Sequence, residues 1–208
     1  MLLAFSTLAA GQGTKTASTT MRLLVYNNTQ GSDAILAQAQ LEAGRILGVA
    51  GVRAVWLDCL HRPSAADPPA ACSKVRDSAD VVVRVLPGQA PDRFADTVLG
   101  IAIPPTLANV YYEHAAGVAK NENEVAVILG CAIAHEVGHL LLGSNSHSFA
   151  GIMHGEWGDK EFRLAAMGGL LFTSQQSKLI RVEARRRMIL QTGHEQRLST
   201  GDEQTTRH

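Results

Sequence analysis

The chain has 208 residues, of which 46% are hydrophobic and 18% are charged. This composition is typical of a globular protein, and the length suits one domain with a substantial core. Lysine plus arginine and aspartate plus glutamate number 19 each, so the net charge is zero with histidine neutral. A balanced charge gives no electrostatic footprint for nucleic acid or an acidic membrane surface. We interpret the basic run Arg185-Arg186-Arg187 as a solvated helix face.

The N-terminal segment, residues 1–20, is signal-like or disordered. Its apolar stretch Met1–Ala10 resembles the hydrophobic region of a secretory signal peptide, although it lacks a positively charged start. The stretch is too short to span a bilayer, and no other stretch approaches a membrane span. We therefore predict export, as a secreted or periplasmic protein, with an unstructured tail as the alternative. A single folded domain is expected over 21–191, as a monomer, with a disordered polar tail over 192–208.

Strand-like runs dominate the first half of the domain. Their alternating or β-branched patterns predict five strands and one helix, which starts at Ser32 or Asp33 and runs to about Ala50. The strands are predicted over Arg22–Asn27, Val52–Leu57, Asp80–Leu86, Thr97–Ile103 and Asn109–Glu113. Cys59 and Cys72 flank a proline-rich loop, and the sequence is compatible with a disulfide bridge in an exported protein or with two free thiols.

The second half is helical. A helix is predicted over Glu122–Leu142, capped by Asn121 and ended by Gly143. After a loop over 144–158, a short helix near Lys160–Met167 and a final helix from Thr173 to about Leu190 follow. The fold class is therefore α/β (α+β), with one mixed sheet of about five strands packed on the long helix.

The helix over Glu122–Leu142 is apolar almost all round, as buried helices are. His135, Glu136 and His139 nevertheless lie in its middle, and burying ionisable groups is costly unless a partner such as a cation compensates them. Residues four apart share one helix face, so His135 and His139 present two imidazoles to the same point. Glu136 is rotated by about 100° from His135 and can reach a metal-bound water without ligating the metal. A pair of satisfied core histidines is the alternative interpretation of this motif.

The segment after the helix supplies further candidates. Gly143 can adopt a left-handed conformation and turn the chain back under the metal. His147 is then placed to supply a third imidazole, and Gly151-Ile152-Met153 follows within the same loop. We interpret the remaining histidines as solvated or structural; the side chain of His154 is expected to point away from the metal if Met153 faces it.

The motif over 135–139, with His147 and Met153, resembles the metzincin clan of zinc peptidases, the matrixin-like members most closely. The clan signature is H-E-x-x-H-x-x-G-x-x-H followed by a methionine-containing turn. Gly143 is one residue later than this signature demands and His147 two residues later. The order of the elements from 22 to 190 also looks like the metzincin arrangement, so the resemblance covers most of the chain.

The resemblance implies a zinc-dependent endopeptidase with one catalytic Zn²⁺ held by His135, His139 and His147. Three neutral imidazoles leave one tetrahedral position open for a water, from which Glu136 would take the proton. Met153 would form a hydrophobic floor beneath the zinc. A peptide or protein substrate would pair with an edge strand, for which the candidate is the segment Gly100, Ile101 and Ala102.

Two other functions remain open. A gluzincin-like peptidase would use a downstream glutamate as the third ligand, and Glu156, Glu161 and Glu183 are available. A degenerate metzincin fold could instead serve as a metal-binding inhibitor or interaction module. The presence of Glu136 argues against the second, because a purely structural zinc site has no need of a general base.

Overall fold

In the computed structural model, which describes residues 19–59, 72, 80–88, 90–91 and 98–201, five strands form one mixed sheet. The strands are β1 (Thr19–Asn27), β2 (Val52–Asp58), β3 (Val81–Leu86), β4 (Gly100–Ile103) and β5 (Leu107–Tyr111). Their order is β2-β1-β3-β5-β4, with every pair parallel except β4 and β5, which are antiparallel. The predicted mixed α/β fold is confirmed, and β4 is an edge strand.

In the described part of the chain the sheet is accompanied by the helices α1 (Asp33–Val49), α2 (Tyr112–Val118), α3 (Glu122–Leu142), α4 (Asp159–Ala166) and α5 (Ser174–Gly201). The predicted bounds and caps of α3 are confirmed. The Asn121 side chain accepts a hydrogen bond from the Glu124 backbone N–H, and Gly143 ends the helix with a φ of 100°. This φ lies in the region that favours glycine, so the residue type at the end of α3 decides where the chain turns.

Helix α3 runs through the core. Its length and apolar character would also suit a membrane span, but 89% of its apolar window is buried inside the protein, as in the core helix of a folded domain. It packs against α1 at Gly130, where an added Cβ would lie 2.6 Å from the Ala39 carbonyl oxygen. A glycine here lets the two backbones approach closely and fixes the depth of α3 in the core.

The structure departs from the predicted elements in several places. Strand β1 begins at Thr19, so Thr19 and Thr20, within the segment predicted as signal-like or disordered, pair with β2 in the sheet. Strand β5 ends at Tyr111, because residues 112–118 form a short helix. This helix has no side-chain cap from which the sequence could have predicted it. Strand β4 is ordered from Gly100, while the predicted start at Thr97 lies outside the described residues. Helix α5 continues to Gly201, so 192–201, predicted as disordered tail, are helical. No proline interrupts 174–201, and an existing helix propagates at little cost.

The structure also shows the state of the two cysteines at the proline-rich loop and the environment of the basic run. Cys59 and Cys72 form a disulfide, which decides between the two alternatives that the sequence allowed. Arg187 is only 7% exposed, so the basic run is not solvated throughout. It lies three residues after Ala184 and seven after Ile180, both fully packed, and therefore shares the buried face of α5. The residues of 1–18 and 202–208 lie outside the described part of the chain.

We expect Gly130→Ala to destabilise the protein by about 1–3 kcal/mol, because the new Cβ meets a backbone oxygen at the α1–α3 crossing. Gly48→Ala in α1 is the matched control. A Cβ there meets nothing within 4 Å, and alanine favours the helix by up to about 1 kcal/mol. Urea unfolding of the two variants measures both effects, and equal stability of the two would contradict the close crossing.

Candidate metal centre and active site

Three histidines converge on one point at the end of α3. The Nε2 atoms of His135 and His139 are 3.0 Å apart, and those of His139 and His147 are 3.1 Å apart. Zinc–nitrogen bonds of about 2.0–2.1 Å at tetrahedral angles place two ligand nitrogens about 3.3 Å apart, so the spacing fits a zinc ion. Within the described residues this is the only cluster of histidine, cysteine and carboxylate side chains arranged to hold a metal.

The outer nitrogens of the two buried imidazoles are engaged elsewhere. The Nδ1 of His135 lies 2.7 Å from the carbonyl oxygen of Ile152, and a carbonyl can only accept, so Nδ1 carries the proton. The Nδ1 of His139 lies 3.0 Å from the Ser146 hydroxyl. In the neutral His135 ring the proton on Nδ1 leaves Nε2 with a lone pair facing the convergence point. With the proton of His139 on Nδ1, donated to the Ser146 hydroxyl, its Nε2 also has a free lone pair, and a cation at the convergence point would be held by both rings.

Burial keeps these imidazoles neutral. It lowers the pKa of His135 to about 3, against a smaller opposing effect of the hydrogen bond to Ile152. Burial also lowers the pKa of His139, and the neighbouring His147 adds to the effect. A metal binds the deprotonated imidazole, so a lowered pKa favours ligation over protonation.

Glu136 follows His135 directly and has a different environment. Burial raises the pKa of its carboxyl to about 8, although a hydrogen bond from the Ala102 backbone N–H opposes this shift. Strand β4 touches the side chain closely: an added Cβ at Gly100 would lie 2.6 Å from the Glu136 Cγ. The edge strand and the carboxyl are therefore in direct contact, and Gly100 leaves the space that the carboxyl occupies.

The pairing of β4 with β5 determines which backbone groups are open. Tyr111 N–H donates to the Leu99 carbonyl at 2.9 Å, and the paired residues of the two strands alternate from there. Gly100 and Ala102 consequently turn their N–H and C=O groups away from β5, and the Ala102 N–H donates to Glu136. The backbone groups of Ile101 turn towards β5. Of the predicted substrate-binding segment, Gly100 and Ala102 can pair with another strand, whereas Ile101 contributes only its side chain to the cleft.

Met153 lies directly under α3. It is fully buried, and an added Cβ at Gly138 would lie 2.6 Å from its sulfur. The same loop positions His147, because the Ser148 N–H donates to the Met153 carbonyl at 2.8 Å. Gly151 has a φ of 78° at the turn before Ile152. The loop thus brings Met153, His147 and the Ile152 carbonyl to one place.

A cavity of about 260 Å³ opens in front of the histidines and Glu136. His154 lines it; its Nδ1 lies 2.5 Å from the Glu156 carbonyl oxygen, and the residue does not belong to the cluster of ligand atoms around the three histidines. Trp157 also lines it and packs edge-on against His135 with 5.6 Å between ring centroids. The sequence analysis missed Trp157, and the signal available was a large aromatic residue in a loop of glycine and charged residues.

The alternative glutamate ligands lie elsewhere. Glu161 accepts a hydrogen bond from the Gly158 N–H at 3.1 Å at the start of α4, and its carboxylate is 4.0 Å from His154. Glu183 is paired with Arg186 and Arg187 on α5. Neither belongs to the cluster of ligand atoms around the three histidines.

We expect Glu136→Gln to stabilise the metal-free protein more at pH 9 than at pH 5. The folded-state pKa of about 8 lies above the ordinary value of 4.5, so the wild type loses stability as the pH rises from 4.5 to 8. Each pKa unit corresponds to about 1.4 kcal/mol, and the gain should reach a few kcal/mol. Urea unfolding in the presence of a chelator measures it.

Glu183→Gln is the control for this titration. Its hydrogen bond with Arg186 lowers the pKa of Glu183 to about 2, so its contribution is complete above pH 4.5 and constant between pH 5 and 9. Parallel pH profiles for the Glu136 and Glu183 variants would contradict the buried environment of Glu136.

No protein-family model matches the sequence, and no curated protein matches it. Among solved structures, archaemetzincin from Methanopyrus kandleri is similar to this chain in fold, with a TM-score of 0.53 over 83% of this chain and 97% of its own. The two sequences are 13% identical in this alignment, so the likeness concerns the fold alone. The chain thus has an archaemetzincin-like fold built on a five-stranded mixed sheet.

Proposed function

We propose that the protein is a zinc-dependent endopeptidase in which His135, His139 and His147 hold one zinc ion and Glu136 acts as the general base. The observation that carries the proposal is the convergence of the three imidazole nitrogens, 3.0 and 3.1 Å apart, beside a buried carboxyl at an open cavity. A site that only held the fold together would need neither the open cavity nor the carboxyl.

The bound zinc would supply Lewis-acid chemistry, polarising the scissile carbonyl and acidifying the attacking water. Glu136 would receive a proton from that water on its carboxylate and deliver it to the leaving amine. Burial raises the pKa of Glu136 in the metal-free protein, and a bound cation would oppose this rise and favour the carboxylate that accepts the proton. His135 and His139 are held in orientation by their Nδ1 contacts to Ile152 and Ser146.

The substrate would be an extended peptide that pairs with β4. Gly100 and Ala102 present their backbone groups to the cleft, and among the described residues no strand pairs with β4 on that side. Main-chain hydrogen bonds of this kind bind many sequences with little selectivity. The pairing would lay the peptide across Glu136 and the three histidines.

The archaemetzincin-like fold supports this function over the gluzincin alternative. Glu161 also argues against that alternative, because its carboxylate accepts a hydrogen bond from the Gly158 N–H at the start of α4. Met153 packed against Gly138 is consistent with its proposed role as a floor under the zinc site. The finer assignment to matrixin-like peptidases stays a prediction. Export also stays a proposal, which the Cys59–Cys72 disulfide supports because such bridges persist in oxidising compartments.

We expect Glu136→Gln to lower the hydrolysis of casein by at least about 10²–10⁴-fold while zinc content stays near one ion per chain. The amide keeps the shape of the side chain but cannot accept the proton. Fluorescent casein release and elemental analysis of the same samples measure both quantities. Full turnover in this variant would contradict the role of Glu136, and loss of zinc would assign Glu136 to the metal instead.

We expect His147→Ala to abolish hydrolysis and to weaken zinc binding by more than about 100-fold. Loss of a residue that only hydrogen-bonds to a metal ligand costs roughly 10- to 100-fold in affinity, and loss of a ligand itself should cost more. Glu161→Ala is the matched control, since it removes the other candidate ligand and should change neither property. Competition with a zinc-binding dye measures the affinity. The reverse pattern would replace the proposed ligand set with the gluzincin one.

A further inference from the structure

Arg187 connects three elements from the middle of α5. Its Nη2 donates to the Leu140 carbonyl in α3 at 2.6 Å, and its Nη1 donates to the Pro105 carbonyl at 3.1 Å. Its Nε donates to Glu183 at 2.9 Å, which supplies the charge partner that a buried guanidinium requires. A basic residue that the sequence suggested to be solvated therefore uses all three of its nitrogens inside the protein.

The two carbonyls belong to the two sides of the proposed cleft. Leu140 follows His139 directly, and because Gly143 N–H donates to His139, the Leu140 carbonyl is among the last of α3, which helix geometry leaves without a helical partner. Pro105 lies in the turn between β4 and β5. Arg187 thus joins the end of the helix that carries the histidines to the turn that carries the edge strand.

Strand β4 is held against α3 at both ends. At its first residue, Gly100 packs against Glu136, where even a Cβ would be too close. Beyond its last residue, the Pro105 carbonyl is tied through Arg187 to Leu140. All four residues of β4 pair with β5, so this pairing fixes the strand within the sheet. Arg187 adds a direct link between α3 and the turn that follows β4, which the pairing with β5 does not provide.

We propose that Arg187 is a positioning residue that sets the distance between the peptide-pairing edge of β4 and α3, an inference that rests on the proposed peptidase function. Arg187 touches neither the histidines nor Glu136, so its effect passes through the position of β4. Because it acts at the Pro105 end, its loss should impair the pairing of an extended peptide more than the chemistry at the Gly100 end. The expected sign is a raised KM with a nearly unchanged kcat.

The test compares zinc-loaded Arg187→Met, Arg187→Lys and Arg186→Met with the wild type. Arg186 is the matched control, because it is exposed and pairs with the same Glu183 carboxylate through two hydrogen bonds of 2.7 Å. Two quantities are measured: amide hydrogen exchange over 100–107, and KM and kcat for a fluorogenic octapeptide spanning a bond that the wild type cleaves in casein.

For Arg187→Met we expect about tenfold faster exchange over 100–107 and a KM raised about tenfold, as for the loss of a charged hydrogen bond, with kcat changed less than threefold. Arg187→Lys, which cannot reach both carbonyls with one ammonium, should show a smaller change in the same direction and decides the matter if the methionine variant does not fold. Arg186→Met should match the wild type.

Unchanged exchange over 100–107 in the Arg187 variants would overturn the proposal, as would faster exchange with an unchanged KM. An equal effect of Arg186→Met would overturn it as well, since the charge alone would then be responsible. If the wild type cleaves no peptide, the peptidase function fails separately, and the exchange measurement alone decides whether Arg187 positions β4.

Discussion

The structure depends on the convergence of three imidazole nitrogens at the end of one buried helix. His135 and His139 are placed there by the geometry of α3, and His147 is returned by the loop after Gly143. The spacing of 3.0 Å between these nitrogens suits ligands of one zinc ion, and the proton on His135 Nδ1 leaves its Nε2 free to bind a cation. Burial strengthens this requirement, because it keeps His135 and His139 from gaining protons in place of a metal.

The surrounding elements hold the three histidines and Glu136 in position. Helix α3 is fixed in the core by the close crossing with α1 at Gly130. The loop beneath it supplies the Ile152 carbonyl that orients His135 and the buried Met153 that fills the space under Gly138. The edge strand β4 lies on the other side, in contact with Glu136, and Arg187 ties its far end to the helix. The proposed metal ligands, general base and peptide-pairing edge are thus all positioned by contacts with α3.

The sequence was sufficient for the elements whose signals are local. The bounds of α3 follow from Asn121 and Gly143, and the separation of His135 and His139 by one helical turn places them together. His147 was expected beside them because Gly143 could turn the chain back after the helix. The spacing of His147 from His139 nevertheless departs from the metzincin signature. The edge position of β4 was also expected, whereas only the register with β5 shows that Gly100 and Ala102, rather than Ile101, turn their backbone towards the cleft.

Features that depend on distant contacts could not be predicted in this way. Trp157 lines the cavity and packs edge-on against His135, a contact between a loop and a helix that no local pattern indicates. A run of three arginines predicts a solvated helix face. The two carbonyls that Arg187 bonds lie more than forty residues away in the chain, so nothing near Arg187 in the sequence indicates its burial. The helix over Tyr112–Val118 has no capping side chain, so tertiary packing rather than local sequence determines it.

X-ray absorption at the zinc edge, on protein loaded with one equivalent of zinc, tests the central claim most directly. The account predicts a four-coordinate ion with three imidazole nitrogens and one oxygen at about 2.0–2.1 Å, and the loss of one imidazole in His147→Ala. A first shell with two imidazoles and a carboxylate, unchanged by removal of His147, would contradict the proposed site.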